Sequence, residues 1–148
     1  MNVFLANEQA TLDLGALLAL QLPEQGVVFL HGTLGAGKTT LVRGILQSLG
    51  HQGSTKSPTY TIVEPYSILS ENRKLRKVYH FDLYRLSEPE ELEYMGIRDY
   101  FEENALCFIE WPENGVGFLP KADFEIILKY SGEQRQVELH GFHRELYQ

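Results

Sequence analysis

Eight consecutive residues constrain the fold of this chain more than any other feature: Gly32, Thr33, Leu34, Gly35, Ala36, Gly37, Lys38 and Thr39 fit G-x-x-x-x-G-K-[ST] at every position. Ahead of them lies VVFLH, Val27 to His31, with the Val and Phe content of a buried strand in a parallel sheet. Behind them KTTLVRGILQSLG reads as an amphipathic helix closed by Gly50 at its C-cap. Strand, glycine-rich turn and helix, in that order, are the context in which the pattern holds phosphate. Small residues let several backbone N–H groups turn inward around the anion, and the helix start adds its unpaired N–H groups and positive end. Lys38 then reaches the terminal phosphates and the Thr39 hydroxyl ligates Mg²⁺. A plain turn requires neither the extra glycines nor a lysine beside a threonine. Thr40 and Thr11 complete the expected nucleotide-binding set. GTPases commonly carry N-K-x-D, which does not occur here, so ATP or ADP is the expected nucleotide.

Composition limits what surrounds this loop. A chain of 148 residues with 43% hydrophobic and 22% charged residues is long enough for one domain with a real core. Its 13 basic residues against 20 acidic ones give a formal charge of -7, which argues against holding bare nucleic acid by its phosphates. Cys107, the single cysteine, lies in an apolar run, which leaves no disulfide framework or cysteine metal site and predicts an inert buried thiol in a reducing, cytoplasmic setting. The opening MNVFLANEQATLDLG lacks the basic start and long apolar stretch of a secretory signal, and no apolar run reaches membrane-spanning length.

Along the rest of the chain, VFL at Val3 to Leu5 is either a short strand or a tail against the core. Leucines from Leu12 to Leu22 recur at helical spacing up to Pro23, with Thr11 as the expected N-cap. HQGSTKSP, residues 51 to 58, has no period and reads as a loop. TYTIVEPY and KVYHFDLYR read as extended segments that form a hairpin or lie side by side. SEPEELEYMG suits a short helix with Ser87 as N-cap and Gly96 as its stop, and IRDYFEENA another. ALCFIEW, ADFEIILKY and QRQVELH are further strands. Helices and strands alternate early and strands dominate later, so the expected fold is α/β: one P-loop NTPase-like domain over residues 1–148, with a mixed, mainly parallel sheet flanked by helices.

The loop needs an acidic partner for Mg²⁺ at the end of a neighbouring hydrophobic strand. Glu110 ends LCFIE and Asp82 lies in YHFDLYR. Glu110 reads as the strand-end acid that sets the metal, against the plainer reading of a solvated terminus. Asp82 reads as a metal or water-positioning carboxylate, against a structural ion pair. Strand alternation puts His80, Asp82 and Tyr84 on one face, so His80 either supports that acid or is simply a structural histidine. The hydroxyls of Ser54, Thr55, Ser57, Thr59 and Thr61, with Gly53 and Pro58, resemble a segment that orders around a γ-phosphate, though a solvated loop has the same composition. Trp111 is either packed beside the site or part of a partner contact.

GTLGAGKTT, SPTYT, HFDLYR and FIEWPE, in that order in a chain of this size, resemble the TsaE family. The resemblance runs from the helix near Thr11 to the last strands. It implies a small bacterial P-loop ATPase needed to form threonylcarbamoyladenosine in tRNA, acting with the TsaB and TsaD proteins that transfer the threonylcarbamoyl group. tRNA would be met only through that complex, and the chain alone would be a monomer away from membranes. By the same resemblance Lys38 and Thr39 are the phosphate and Mg²⁺ residues, and Asp82 and Glu110 the essential acids. Thr59 and Thr61 belong to the switch-like segment, and Trp111 is the characteristic aromatic; Ser57, His80 and Arg85 are grouped with them as switch-like or partner-sensing. The family commonly has an aspartate where this chain has Thr33, a departure that leaves the phosphate cradle intact.

No arginine is evidently placed as a transition-state finger, Arg43 lying on the helix after the loop and Arg85 beside the HFDLYR acid, so slow turnover without partners is expected. Two other functions use the same loop. A small-molecule kinase would need an acceptor pocket and a basic lid, and the only dense basic cluster, RKLRK from Arg73 to Lys77, falls in a polar turn. A nucleotide-gated binding module would use the switch-like loop and the acidic run SEPEELEYMGIRDYFEE with little catalysis.

Overall fold

Leu106 to Ile109 are apolar at every position, which suits a strand covered on both faces. They lie in the middle of the sheet. The structure is a computed structural model and describes residues 2–55, 62–69 and 73–143. In chain order its elements are β1 (Asn2–Leu5), α1 (Glu8–Ala19), β2 (Gly26–His31), α2 (Lys38–Leu49), β3 (Val63–Leu69), β4 (Leu75–Asp82), α3 (Glu91–Tyr94), α4 (Ile97–Glu102), β5 (Ala105–Glu110), a 3₁₀ turn (Pro112–Gly115), β6 (Phe124–Ser131) and β7 (Gln134–His140). One seven-stranded sheet has the order β1-β7-β6-β2-β5-β4-β3. The central strands β6, β2, β5 and β4 are mutually parallel, while β3, β7 and β1 each pair antiparallel with a neighbour. Since β1 reverses against β7, five of the seven strands point the same way, the mixed and mainly parallel α/β sheet that the alternation of elements predicts. VFL is thus an edge strand, and β3 with β4 forms the expected antiparallel pair.

Helices α1 and α2 cover one face of this sheet. They meet at Gly15 and Gly44, where backbone approaches backbone: a Cβ on Gly15 would lie 2.9 Å from the Ile45 nitrogen, and one on Gly44 2.8 Å from the Leu12 carbonyl oxygen. Leu14, Leu18, Leu41, Ile45 and Leu46 fill the core against Val28, Leu30, Val78, Leu106 and Phe108. The opposite face packs Tyr79, Phe81, Cys107 and Ile109 against Leu83, Leu92 and Ile97. Alternation along β4 and β5 sends neighbouring residues to opposite faces.

Local capping differs from the expectations in two places. α1 begins earlier than Thr11: Asn7 is its N-cap, its side-chain oxygen accepting from the Ala10 N–H at 2.9 Å. Asn7 takes the extended backbone an N-cap needs, and Thr11 sits inside the helix. Ser87 likewise does not cap α3. The Glu91 carboxylate instead accepts from the backbone N–H groups of Ser87 and Glu88, at 2.9 and 3.2 Å. The basic cluster is partly structural: Lys74 pairs with Glu24 at 2.9 Å, and Arg76 donates to the Pro23 carbonyl. Among the described residues no helix is long and apolar enough to cross a membrane.

Candidate nucleotide site

The chain leaves β2 and must turn into α2 within a few residues, and glycine makes this possible. Gly32, Gly35 and Gly37 have φ of 149°, 79° and 104°, a region closed to most side chains. Gly37 is the N-cap of α2 and supplies no side-chain cap, and the first turn carries no acid. The helix therefore starts with N–H groups and a positive end open to an anion.

Two distant side chains brace the loop. The Tyr130 hydroxyl of β6 donates to the Gly35 carbonyl at 2.5 Å, and the Arg135 guanidinium of β7 lies 3.5 Å from the same oxygen. Arg135 stacks 4.0 Å over the Tyr130 ring. Nothing local in the sequence points to this pair, which is separated from Gly35 by 95 and 100 positions. Two strands joined by a turn at Ser131 and Gly132 are all that the sequence offers there.

Lys38 is only 5% exposed. Its ammonium donates to the Gly32 carbonyl at 2.6 Å, lies 3.9 Å from Glu110 Oε1 and sits 4.1 Å from the centre of the Trp111 ring. Burial lowers its pKa, opposed by the charges of Glu110, Asp82 and Glu113. Parallel register sets the two acids side by side: Asp82, the last residue of β4, pairs with Glu110, the last of β5, and Glu110 also pairs with Leu30 of β2. Both carboxylates thus reach the strand ends where the loop leaves β2. Burial raises the Asp82 pKa, and the Glu110 charge adds to the rise; the Tyr84 N–H, His80 and Lys38 oppose it.

His80 and Asp82 share the predicted face, but Tyr84 does not continue the strand. It follows a turn in which its N–H donates to Asp82 Oδ1 at 3.0 Å, and its ring meets Trp111 at 5.0 Å. The His80 hydrogen bond goes to Glu110, with Nε2 2.5 Å from Oε2. Trp111 has φ 58°, an uncommon value for a bulky residue, and this bend carries its indole back over Lys38. Arg43 pairs with Glu8 across the helices, and Arg85 is exposed beyond Asp82.

Thr11 and Thr40 come together. With Asn7, Gly35, Gly37 and Arg135 they line a cleft of about 230 Å³ beside the glycine loop. Thr33 and Leu34 are exposed on the loop, and Ala36 is buried beneath it. Ser57, Thr59 and Thr61 lie outside the described residues.

The donors around Lys38 suit a hard cation. Thr39, Glu110 and Asp82 offer oxygen only, the chemistry of Mg²⁺. Among the described residues there is no group of three or more His, Cys, Asp or Glu able to hold a metal alone. Mg²⁺ is typically held by one or two carboxylates together with substrate phosphates, so this sparse set fits it.

Comparison with known proteins agrees with this geometry. The family described as "Threonylcarbamoyl adenosine biosynthesis protein TsaE" matches residues 5–137. The Haemophilus influenzae protein named for TsaE of tRNA threonylcarbamoyladenosine biosynthesis is 54% identical over 123 residues, covering 83% of this chain and 75% of the relative. Its namesake from Nostoc is 38% identical over 146 residues, covering 95% and 86%. The crystal structure of Bacillus subtilis YdiB superposes with a TM-score of 0.74 at 28% identity, covering 93% of this chain and 82% of that one. A family match that spans the loop, both acids and the bracing strands leaves one assignment: this chain belongs to the TsaE family.

Proposed function

We propose that this chain is the ATP-binding and ATP-hydrolysing component of the machinery that makes N6-threonylcarbamoyladenosine in tRNA, acting with TsaB and TsaD. The biosynthetic assignment draws on the names of the relatives. One observation carries the ATPase reading: a buried lysine at the start of α2, between a glycine-loop carbonyl and the strand-end Glu110, with Asp82 beside it.

In this reading the backbone N–H groups of the loop bind the phosphates, and Lys38 exchanges its bond to the Gly32 carbonyl for a phosphate oxygen. An ammonium already stripped of water loses little hydration in that exchange. The cleft lined by Asn7, Thr11, Thr40 and Arg135 receives the adenosine end. Thr39 and Glu110 would hold Mg²⁺, with Asp82, paired beside Glu110 in the sheet, as the further candidate carboxylate. Bound Mg²⁺ supplies charge neutralisation on the phosphate oxygens. Asp82, its pKa raised by burial, orients the attacking water and takes its proton. The Tyr84 N–H fixes one oxygen of that carboxylate, leaving the other for water. Trp111 covers the outer side of Lys38 and restricts its ammonium to the loop. In trans, TsaB and TsaD raise the slow turnover expected of the chain alone.

A fluorescent ATP analogue titrated into the wild type and Lys38→Ala, with phosphate release measured in parallel, tests the nucleotide reading. Loss of both signals in the variant is expected, and unchanged affinity and turnover would refute it. Binding to a TsaB and TsaD mixture with ATP, with ADP and without nucleotide tests the partner reading. Nucleotide-independent binding together with an unchanged ATPase rate refutes coupling to those proteins.

A further inference from the structure

We propose that His80 is a positioning residue that locks one oxygen of Glu110 and so presents the other to the phosphate loop. The proposal rests on reading Glu110 as a Mg²⁺-side carboxylate. His80 is fully buried on β4, one step below Asp82 on the same face, and reaches diagonally across to the end of β5. Its Nε2 lies 2.5 Å from Glu110 Oε2, while Oε1 faces Lys38 Nζ at 3.9 Å, beyond hydrogen-bond length. A carboxylate oxygen accepts, so in this bond Nε2 is the donor and Nδ1 is the ring's other polar atom.

That Nδ1 has no hydrogen-bond partner among the described residues. A buried polar atom without a partner costs stability, which an apolar side chain of the same size would avoid. The ring's one polar contact among the described residues is therefore the bond to Glu110. A glutamate has three rotatable side-chain bonds and would otherwise sample several orientations at the strand end. Anchored at Oε2 from within the sheet, it holds Oε1 at the mouth of the loop. Residues that hold a metal-side ligand in this way set its orientation, and losing one typically weakens metal affinity 10- to 100-fold.

The test uses the whole chain with ADP bound and Mn²⁺ in place of Mg²⁺, free Mn²⁺ being read by electron paramagnetic resonance. His80→Phe keeps a ring but removes the donor, and His80→Gln restores a donor near the position of Nε2. Expected are an approximately 10- to 100-fold weaker Mn²⁺ affinity in H80F, recovery of most of it in H80Q, and unchanged metal-free ADP binding in both. Wild-type Mn²⁺ affinity in H80F overturns the proposal, as does H80Q no better than H80F at the same thermal midpoint. If H80F does not fold, His80→Asn replaces it, since its shorter amide cannot reach Glu110. Glu110→Gln separates the two readings: if it weakens Mn²⁺ binding and H80F does not, only the role of His80 falls. If neither variant weakens it, Glu110 is not at the metal and both readings fall.

Discussion

The two faces of the sheet take side chains from the same strands and differ in what they bury. Toward α1 and α2, β4 and β5 send Val78, His80 and Asp82, and Leu106, Phe108 and Glu110; toward α3 and α4 they send Tyr79, Phe81, Cys107 and Ile109. Among the described residues the buried polar ones, Thr11, Lys38, His80 and Glu110, all belong to the first face or its helices. On the second face the Tyr79 hydroxyl, 2.5 Å from Glu103, sits at the rim and is pushed up to about 12 by that carboxylate. One face thus carries the candidate site at its strand ends while the other is an aromatic and aliphatic core. Buried charge costs stability and apolar packing supplies it, so function and fold should fail separately when each face is altered.

Lys38→Ala should have the largest effect, reducing turnover by about 100- to 1000-fold or more, as removal of a preorganised charge donor does. Its thermal midpoint should not fall. Burial opposes the charged form of Lys38, and losing that cost offsets the lost bond to the Gly32 carbonyl and the lost contact with Glu110. A lower midpoint would mean that Lys38 holds the first face together. Asp82→Asn should slow turnover by about 100-fold or more. With a raised pKa, wild-type Asp82 must lose its proton before it acts, so turnover should fall as pH drops through a value above the ordinary aspartate range. A pH–rate profile of wild type with the same acid limb as D82N removes the base role.

Phe81→Ala attacks the other face. It should cost about 3–5 kcal/mol in a denaturant titration, because Phe81 is fully buried among Tyr79, Tyr100 and Phe101. The fraction still folded should bind ADP normally, and weakened binding would show that the faces are coupled. Gly44→Ala should cost roughly 1–3 kcal/mol, since its methyl would meet the Leu12 backbone. The smallest effect belongs to Cys107, whose thiol burial raises to about 12. Native protein at pH 8 should react with a thiol reagent only after unfolding, and fast native labelling would reveal opening of the second face.

These contrasts bear on what could be read in advance. The phosphate loop was legible because its eight residues are contiguous and each type has a local physical reason. The caps were less so. Asn7 and Thr11 are both good capping types, and backbone angles decided between them. Ser87 looked like a cap, but the reach of Glu91 made the bonds. Alternation along the strand puts His80 and Asp82 on one face, but the His80 bond to Glu110 depends on which strand lies next to β4.

Sequence alone determined the loop, the helix that follows it, the candidate acids and the α/β class, because these rest on spacing and composition within short segments. Tertiary structure decided what those segments meet. Parallel register brought Asp82 to Glu110, and the sheet order put β5 between β4 and the loop strand. The return of β6 and β7 brought Tyr130 and Arg135 to Gly35. Such pairings are between residues tens of positions apart, and they are selected by burial of whole faces, a property that no single stretch of sequence contains.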